Sequence, residues 1–227
     1  MNISHSVPRV DAAAKGAATA QYVADINFPG MLHARTLRAD RPRARIMSIA
    51  VPPLPEGYCV VDRNDVPGKN RVKMLVDDWP FFAEGVVNHI GEPILLVVGP
   101  DREVLDALLA QIVVQYEDIA PILSVADACG GSLPPLCGTD NRFARYEVVK
   151  GDPDGAFAEA ARIVESAHHT GYQEHAYIEP QGFIGLAEAN GKVAVYGSMQ
   201  CPYYVKNALI QGLGCASDKV RVIQTTT

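Results

Sequence analysis

Asn190-Gly191 lies between the apolar runs GFIGLAE and KVAVYGSM, and no other pair of residues constrains this chain as tightly. Asn-Gly tolerates the positive φ angles of a two-residue hairpin turn, so it forces the flanking runs to fold back on each other as antiparallel strands. The next stretch is equally directive. Pro202 stands where the first turn of a helix favours proline, Val205, Ala208, Leu209 and Leu213 recur on one face, and Gly214 marks the end. Val220 and Val222 then alternate with Arg221 in a last strand, which is expected to take its neighbours from residues beyond Thr227.

Upstream the chain also mixes strands and helices. PGMLHARTLRA and ARIMSIAV each predict a strand, the first after a Pro29-Gly30 turn. GEPILLVVG (91–99) is a short apolar run bounded by glycines, the pattern of a buried strand. Asp101 can cap the following helix, whose apolar positions Val104, Leu105, Leu108, Leu109 and Ile112 repeat at helical spacing, and IVVQYE reads as the next strand. Residues 128–142 are rich in glycine and proline and poor in apolar side chains, the composition of a linker. Beyond them GDPDGAFAEA predicts a short helix at 154–160, and RIVESAHHTGYQEHAYIEP an extended run.

Composition limits the function classes. The 227 residues suffice for one large domain or two modest ones, and 48% hydrophobic with 20% charged residues is an ordinary globular profile. The formal charge of −6 argues against broad nucleic-acid binding. No apolar run reaches the roughly 18 residues of a membrane span, and the first residues carry no secretory pattern, so a cytoplasmic location is expected. The five cysteines form no C-x-x-C, so neither an iron–sulfur nor a structural zinc pattern is present, and the electron-relay centres of any redox chemistry are expected on another domain or polypeptide. G-x-S-x-G, P-loop and G-x-G-x-x-G motifs are absent from the sequence as well.

Three constellations carry candidate chemistry. Gln200 falls between a strand end and the start of the Pro202 helix, where backbone N–H groups and the helix dipole favour anionic or oxo ligands. Its amide can donate to a metal oxo group without adding charge, or it can simply cap the helix. His168, His169, Glu174, His175 and Glu179 invite a metal site, but a strand would send His168 and His169 to opposite faces and no H-E-x-x-H is present. Solvated strand residues are the simpler account, with an independent zinc hydrolase as the competing one. Arg35, Arg38, Arg41, Arg43 and Arg45 place five arginines in eleven residues. They suit a solvated strand face or a docking patch for an acidic partner.

Several segments, in order, give the chain its resemblance: SVPRVDAAAKG, Leu37-Arg38 with Ala44-Arg45-Ile46, Gly91-Glu92-Pro93, Gln173-Glu174-His175 with Tyr177-Ile178-Glu179-Pro180, Ser198-Met199-Gln200 and KVRVIQTTT. Together they resemble the molybdenum-binding subunit of the xanthine dehydrogenase and aldehyde oxidase family. The resemblance implies an α+β fold: an α/β-hammerhead domain (1–127), a linker (128–144), and the beginning of the first molybdopterin-binding domain (145–227). In that family a GGGFGG-type loop follows the strand matched by KVRVIQTTT, so the chain is expected to be the N-terminal portion of a larger subunit and inactive alone.

The implied activity is molybdopterin-dependent hydroxylation of N-heterocycles or aldehydes, with water as oxygen source. Electrons would pass to Fe–S clusters and FAD on partner domains or subunits, and the remainder of the molybdenum subunit would be a further partner. The alternative is a non-catalytic remnant or assembly module. The resemblance places Gln200 at the apical oxygen of molybdenum, with Met199 where the family usually has threonine. The Q-E-H-x-Y-x-E-P segment is a structural marker. No residue present matches the family's catalytic glutamate, and none is assigned as a metal ligand.

Overall fold

The computed structural model describes residues 4–74 and 76–227. A five-residue helix, α1 (Ala12–Gly16), precedes strand β1 (His33–Arg38), which starts after a turn in which Gly30 holds φ 72°. Strands β2 (Ala44–Ala50), β3 (Cys59–Val61), β4 (Val86–Val87) and β5 (Pro93–Gly99) follow, then helix α2 (Arg102–Leu109) and strand β6 (Val113–Asp118). These six strands make two antiparallel sheets, ordered β1-β5-β3 and β4-β2-β6.

The apolar run of β5 is buried because it is the middle strand of its sheet and α2 packs beside it. Asp101 caps α2 as its position predicts, its carboxylate accepting from the N–H groups of Glu103 and Val104 at 2.8 and 3.1 Å. That registers Leu105 and Leu108 toward the core, with Ile94, Leu95, Val97, Ala44 and Val87. Burying each of the leucine, isoleucine and valine side chains contributes about 1.5–3 kcal/mol.

The arginine cluster is absorbed by this unit. Arg35 pairs with Asp106 on α2 at 2.9 Å, and Arg45 pairs with Glu117 across the β2–β6 ladder at 3.1 Å. Arg38 donates to the Gly91 carbonyl, Arg43 donates to that of Pro134, and Arg41 lies over the Tyr116 ring. Each arginine has a partner within the chain, as a solvated strand face allows, while Arg35, Arg41 and Arg45 stay about half exposed.

Residues 124–143 are more ordered than their breaker-rich composition suggests. Ser124 caps helix α3 (Val125–Gly130), which Gly131 ends in the left-handed region. The Asn141 side chain then accepts from Leu136 N–H and donates to the Ala128 carbonyl, closing the loop on itself. Helix α4 (Pro153–Glu159), capped by Asp152, gives way to residues 160–181, an irregular segment, exposed except at Glu179, that does not pair as a strand.

Strands β7 (Phe183–Ala187) and β8 (Val193–Gly197) form the hairpin, with Gly191 at φ 72° and the Asn190 side chain accepting from Lys192 N–H. Helix α5 (Pro202–Leu213) ends on left-handed Gly214 and leads to β9 (Val220–Gln224). The expectation that β9 takes its neighbours from outside the chain is corrected here: β9 pairs in parallel with β8, from Val193↔Val220 to Gly197↔Gln224. The twelve-residue helix supplies the crossover that a parallel pair requires.

Contacts at two places, among others, join the halves. The segment before β1 lies on the second sheet, with the Phe28 ring 5.5 Å from that of Tyr196. Residues 68 and 69, in the loop leading toward β4, donate backbone N–H groups to the carbonyls of Gly212 and Gln211 at the end of α5, at 2.8 and 3.0 Å. These are carbonyls that a helix end leaves without intrahelical partners.

Candidate functional site

Because β8 and β9 are parallel neighbours, their carboxyl ends emerge on the same side, beside the start of β7 and the N-terminus of α5. In open α/β sheets that edge is where ligands bind. Backbone bonds lace the edge together: Ser198 N–H to the Gly182 carbonyl at 3.2 Å, and Thr225 N–H to the Gly197 carbonyl at 3.0 Å. The approach of these strand ends is close. A Cβ on Gly197 would overlap the Phe183 ring and sit 2.9 Å from the Gly182 carbonyl oxygen.

An open cleft of about 700 Å³ lies here, lined in part by Tyr22, Glu179, Ser198, Gln200 and Gln224. Its size falls in the range of small-molecule and cofactor sites. The turn leaving β8 sorts its residues sharply. Ser198 and Met199 are buried, and Gln200 is exposed to the cleft. The burial of Met199 accounts for an apolar residue at the position where the family pattern has threonine.

Gln200 does not cap α5. The N-cap residue is Cys201, which contributes no side-chain hydrogen bond, and the Gln200 amide bonds to none of the described residues. Gln200 therefore lines the cleft with an unpartnered amide, beside a twelve-residue helix start with no side-chain cap. Neutral donors next to the positive end of a helix dipole suit an anionic or oxo-bearing group. Two buried polar atoms at this edge also lack partners among the described residues, Glu179 Oε1 and Thr225 Oγ1. A molybdopterin group, rich in polar atoms and carrying a metal oxo group, fits a wall of this chemistry.

The histidine cluster is not assembled. His168, His169, Glu174 and His175 are exposed along the irregular segment, and Ser166 lies 3.0 Å from the His168 ring. Among the described residues no three His, Cys, Asp or Glu side chains are grouped to hold a metal ion. Glu179 alone turns inward, accepting from the Ser198 hydroxyl at 3.3 Å. That pair, and the part played by Tyr22 and Gln224, have no local sequence signal, since each depends on segments the fold brings together. Among the described residues no helix is long and apolar enough to cross a membrane.

Comparison with known proteins agrees with this architecture. Residues 17–120 match the family described as aldehyde oxidase and xanthine dehydrogenase, a/b hammerhead domain, and residues 138–227 match the molybdopterin cofactor-binding domain. Among curated relatives, the nicotinate dehydrogenase large molybdopterin subunit of Eubacterium barkeri is 30% identical over 222 residues, covering 96% of this chain and 52% of that protein. The xanthine dehydrogenase of Blastobotrys adeninivorans is 30% identical over 230 residues, covering 96% of this chain and 16% of that protein.

Among solved structures, aldehyde oxidoreductase from Desulfovibrio gigas superposes with a TM-score of 0.85 at 26% identity, over 96% of this chain and 26% of that one. Quinoline 2-oxidoreductase from Pseudomonas putida 86 shares the fold, with a TM-score of 0.80 at 23% identity over 98% of this chain and 30% of that one. The chain thus spans about half the length, or less, of these relatives. With a hammerhead unit followed by the start of a cofactor-binding unit, this chain belongs to the molybdopterin-binding xanthine dehydrogenase and aldehyde oxidase family.

Proposed function

We propose that this chain forms one wall of the cofactor site in a cytoplasmic, molybdopterin-dependent hydroxylase or dehydrogenase acting on N-heterocycles or aldehydes. The observation that carries this reading is the unengaged Gln200 amide, presented to a cleft at the carboxyl ends of two parallel strands beside the start of α5. When bound, the molybdenum centre supplies the oxidation of a substrate carbon with water as oxygen source. Fe–S and FAD centres on partner domains or subunits would take up the electrons.

The residues of this chain hold and orient. Gln200 would help hold the group by donating an amide hydrogen to one of its oxygen atoms, and the start of α5 would favour negative charge there. Buried Met199 and Ser198 fix the turn from which Gln200 projects. None of the side chains at this edge is assigned as the base of the reaction. In this reading the units are 1–127, a linker at 128–144, and 145–227; the family matches give two units in the same order, at 17–120 and 138–227, the second beginning inside that linker. The remainder of the molybdenum subunit would close the cleft and cover the irregular segment, on which Tyr172 and Ile178 are fully exposed.

The test is Gln200→Ala in the full molybdenum enzyme. Turnover is expected to fall about 10- to 100-fold, the worth of about 1.5–3 kcal/mol for a hydrogen bond to a charged or strongly polarised group. Molybdenum content and thermal stability should hold. Unchanged kinetics would remove Gln200 from the site.

A further inference from the structure

Glu179 is the one member of the histidine–glutamate cluster that the fold draws into the cleft, and the resemblance gives it no role beyond a structural marker. It sits at the end of the irregular segment, four residues before β7, and reaches across to the turn after β8. One carboxylate oxygen accepts from the Ser198 hydroxyl at 3.3 Å, and the other is buried without a partner among the described residues. Ser198 is thereby held twice, through its hydroxyl by Glu179 and through its N–H by the Gly182 carbonyl. Two residues on, the Gln200 side chain has no tether among the described residues. Its position therefore depends on how the Ser198-Met199 turn is held.

We infer that Glu179 is a positioning residue: through Ser198 it fixes the turn that aims the Gln200 amide into the cleft. The inference rests on the reading of Gln200 as a donor to the cofactor. A carboxylate with one oxygen buried and unsatisfied is a costly way to make a tether, because desolvated polar groups are penalised when they lack partners. A device that only stitched the irregular segment to the sheet could use an apolar contact. A short acceptor reaching the residue beside Met199 suits the aiming of a donor two positions away.

The experiment is a double-mutant cycle in the full molybdenum enzyme, comparing Glu179→Ala, Glu179→Gln and Ser198→Ala with and without Gln200→Ala. Molybdenum per polypeptide and the electron paramagnetic resonance signal of the reduced metal are read beside kinetics. Glu179→Ala and Ser198→Ala should each lower kcat about tenfold, the loss of one hydrogen bond's aim, with KM within about twofold. Both should perturb the resonance signal at unchanged molybdenum content. Glu179→Gln keeps an acceptor for Ser198 and should restore most of the rate. In the Gln200→Ala background neither change should lower kcat further.

Equal losses in both backgrounds, or a fall in activity that only tracks lost molybdenum, would overturn the positioning role while leaving Gln200 in place. Glu179→Ala without effect would do the same. Silence of Gln200→Ala alone would overturn both readings together.

Discussion

The two halves of the chain solve the burial problem differently. Residues 33–118 bury a continuous core in which Leu95, Leu105, Val87 and Val97 are shut off from solvent and α2 closes over the sheet. The second half buries Ala194, Val195 and Val220 in a three-stranded sheet and Met199 in the turn after it, yet leaves Tyr146, Val148, Val164, Tyr172 and Ile178 exposed upstream. The difference teaches where each half gets its order. The first owes its order to its own apolar contacts. The second is organised at the strand ends around the cleft, while its apolar segment is a surface of the kind that associates with something else.

The sharpest way to break this contrast is to truncate one side chain from each region. Leu105→Ala, at a wholly buried position, should lower the unfolding free energy by about 2–5 kcal/mol, through lost transfer energy and a residual cavity. Ile178→Ser, at a fully exposed position, should change it by no more than about 0.5 kcal/mol. Urea unfolding followed by circular dichroism measures both. A comparable loss at Ile178 would mean that the irregular segment is covered in solution, and the contrast would fall.

A smaller effect sharpens the comparison by testing the seam between the halves. Gly68 presses against the end of α5 so closely that a Cβ would overlap the Gln211 carbonyl oxygen. Its N–H bonds the Gly212 carbonyl, and Gln211 in turn reaches Asp77 at 3.0 Å. Gly68→Ala should therefore cost about 1–3 kcal/mol as overpacking. The single tryptophan, Trp79, lies on the same loop, bridged to Val72. Its fluorescence should report loop release at lower urea than the far-ultraviolet signal. Coincident, unshifted transitions would mean that the seam is not a stabilising contact.

Legibility in the sequence divides in the same way, between local and distant causes. β5 could be read from its glycine-bounded apolar run, α2 from Asp101 and its leucines, and the hairpin from Asn190-Gly191, because each signal lies within the element. Gln200 could be placed beside the α5 start for the same reason. Strands β3 and β4 are too short for a pattern, three and two residues long, and exist through their pairing with β5 and β2. The partner of β9 was misread because parallel pairing is fixed by a crossover helix, not by the strand's own residues. The cleft joins Tyr22 to Gln224, and Glu179 to Ser198, across separations that no spacing rule reaches.

The smallest effect concerns how the seam loop is held at its base, and it turns on pH. Arg71 hydrogen-bonds the Glu84 carboxylate at 2.5 Å, and Asn70 adds a second donor at 3.0 Å while also bonding both backbone groups of Phe82. The Arg71 bond is the main cause holding the Glu84 carboxyl below its ordinary value of 4.5, with Asn70 assisting and partial burial opposing. A folded-state pKa below the unfolded one means that the ionised form favours folding. The contribution is therefore fully present above pH 4.5 and is lost as pH falls through the lower folded-state value. The Glu84 side chain is 40% exposed, so solvent screening keeps the pair below about 1 kcal/mol. Glu84→Gln should flatten the acid limb of the stability–pH curve and leave the neutral region within that margin. If the wild-type and Glu84→Gln curves stay parallel down to about pH 3, the loop is anchored by Asn70 alone and the seam draws nothing from this charge.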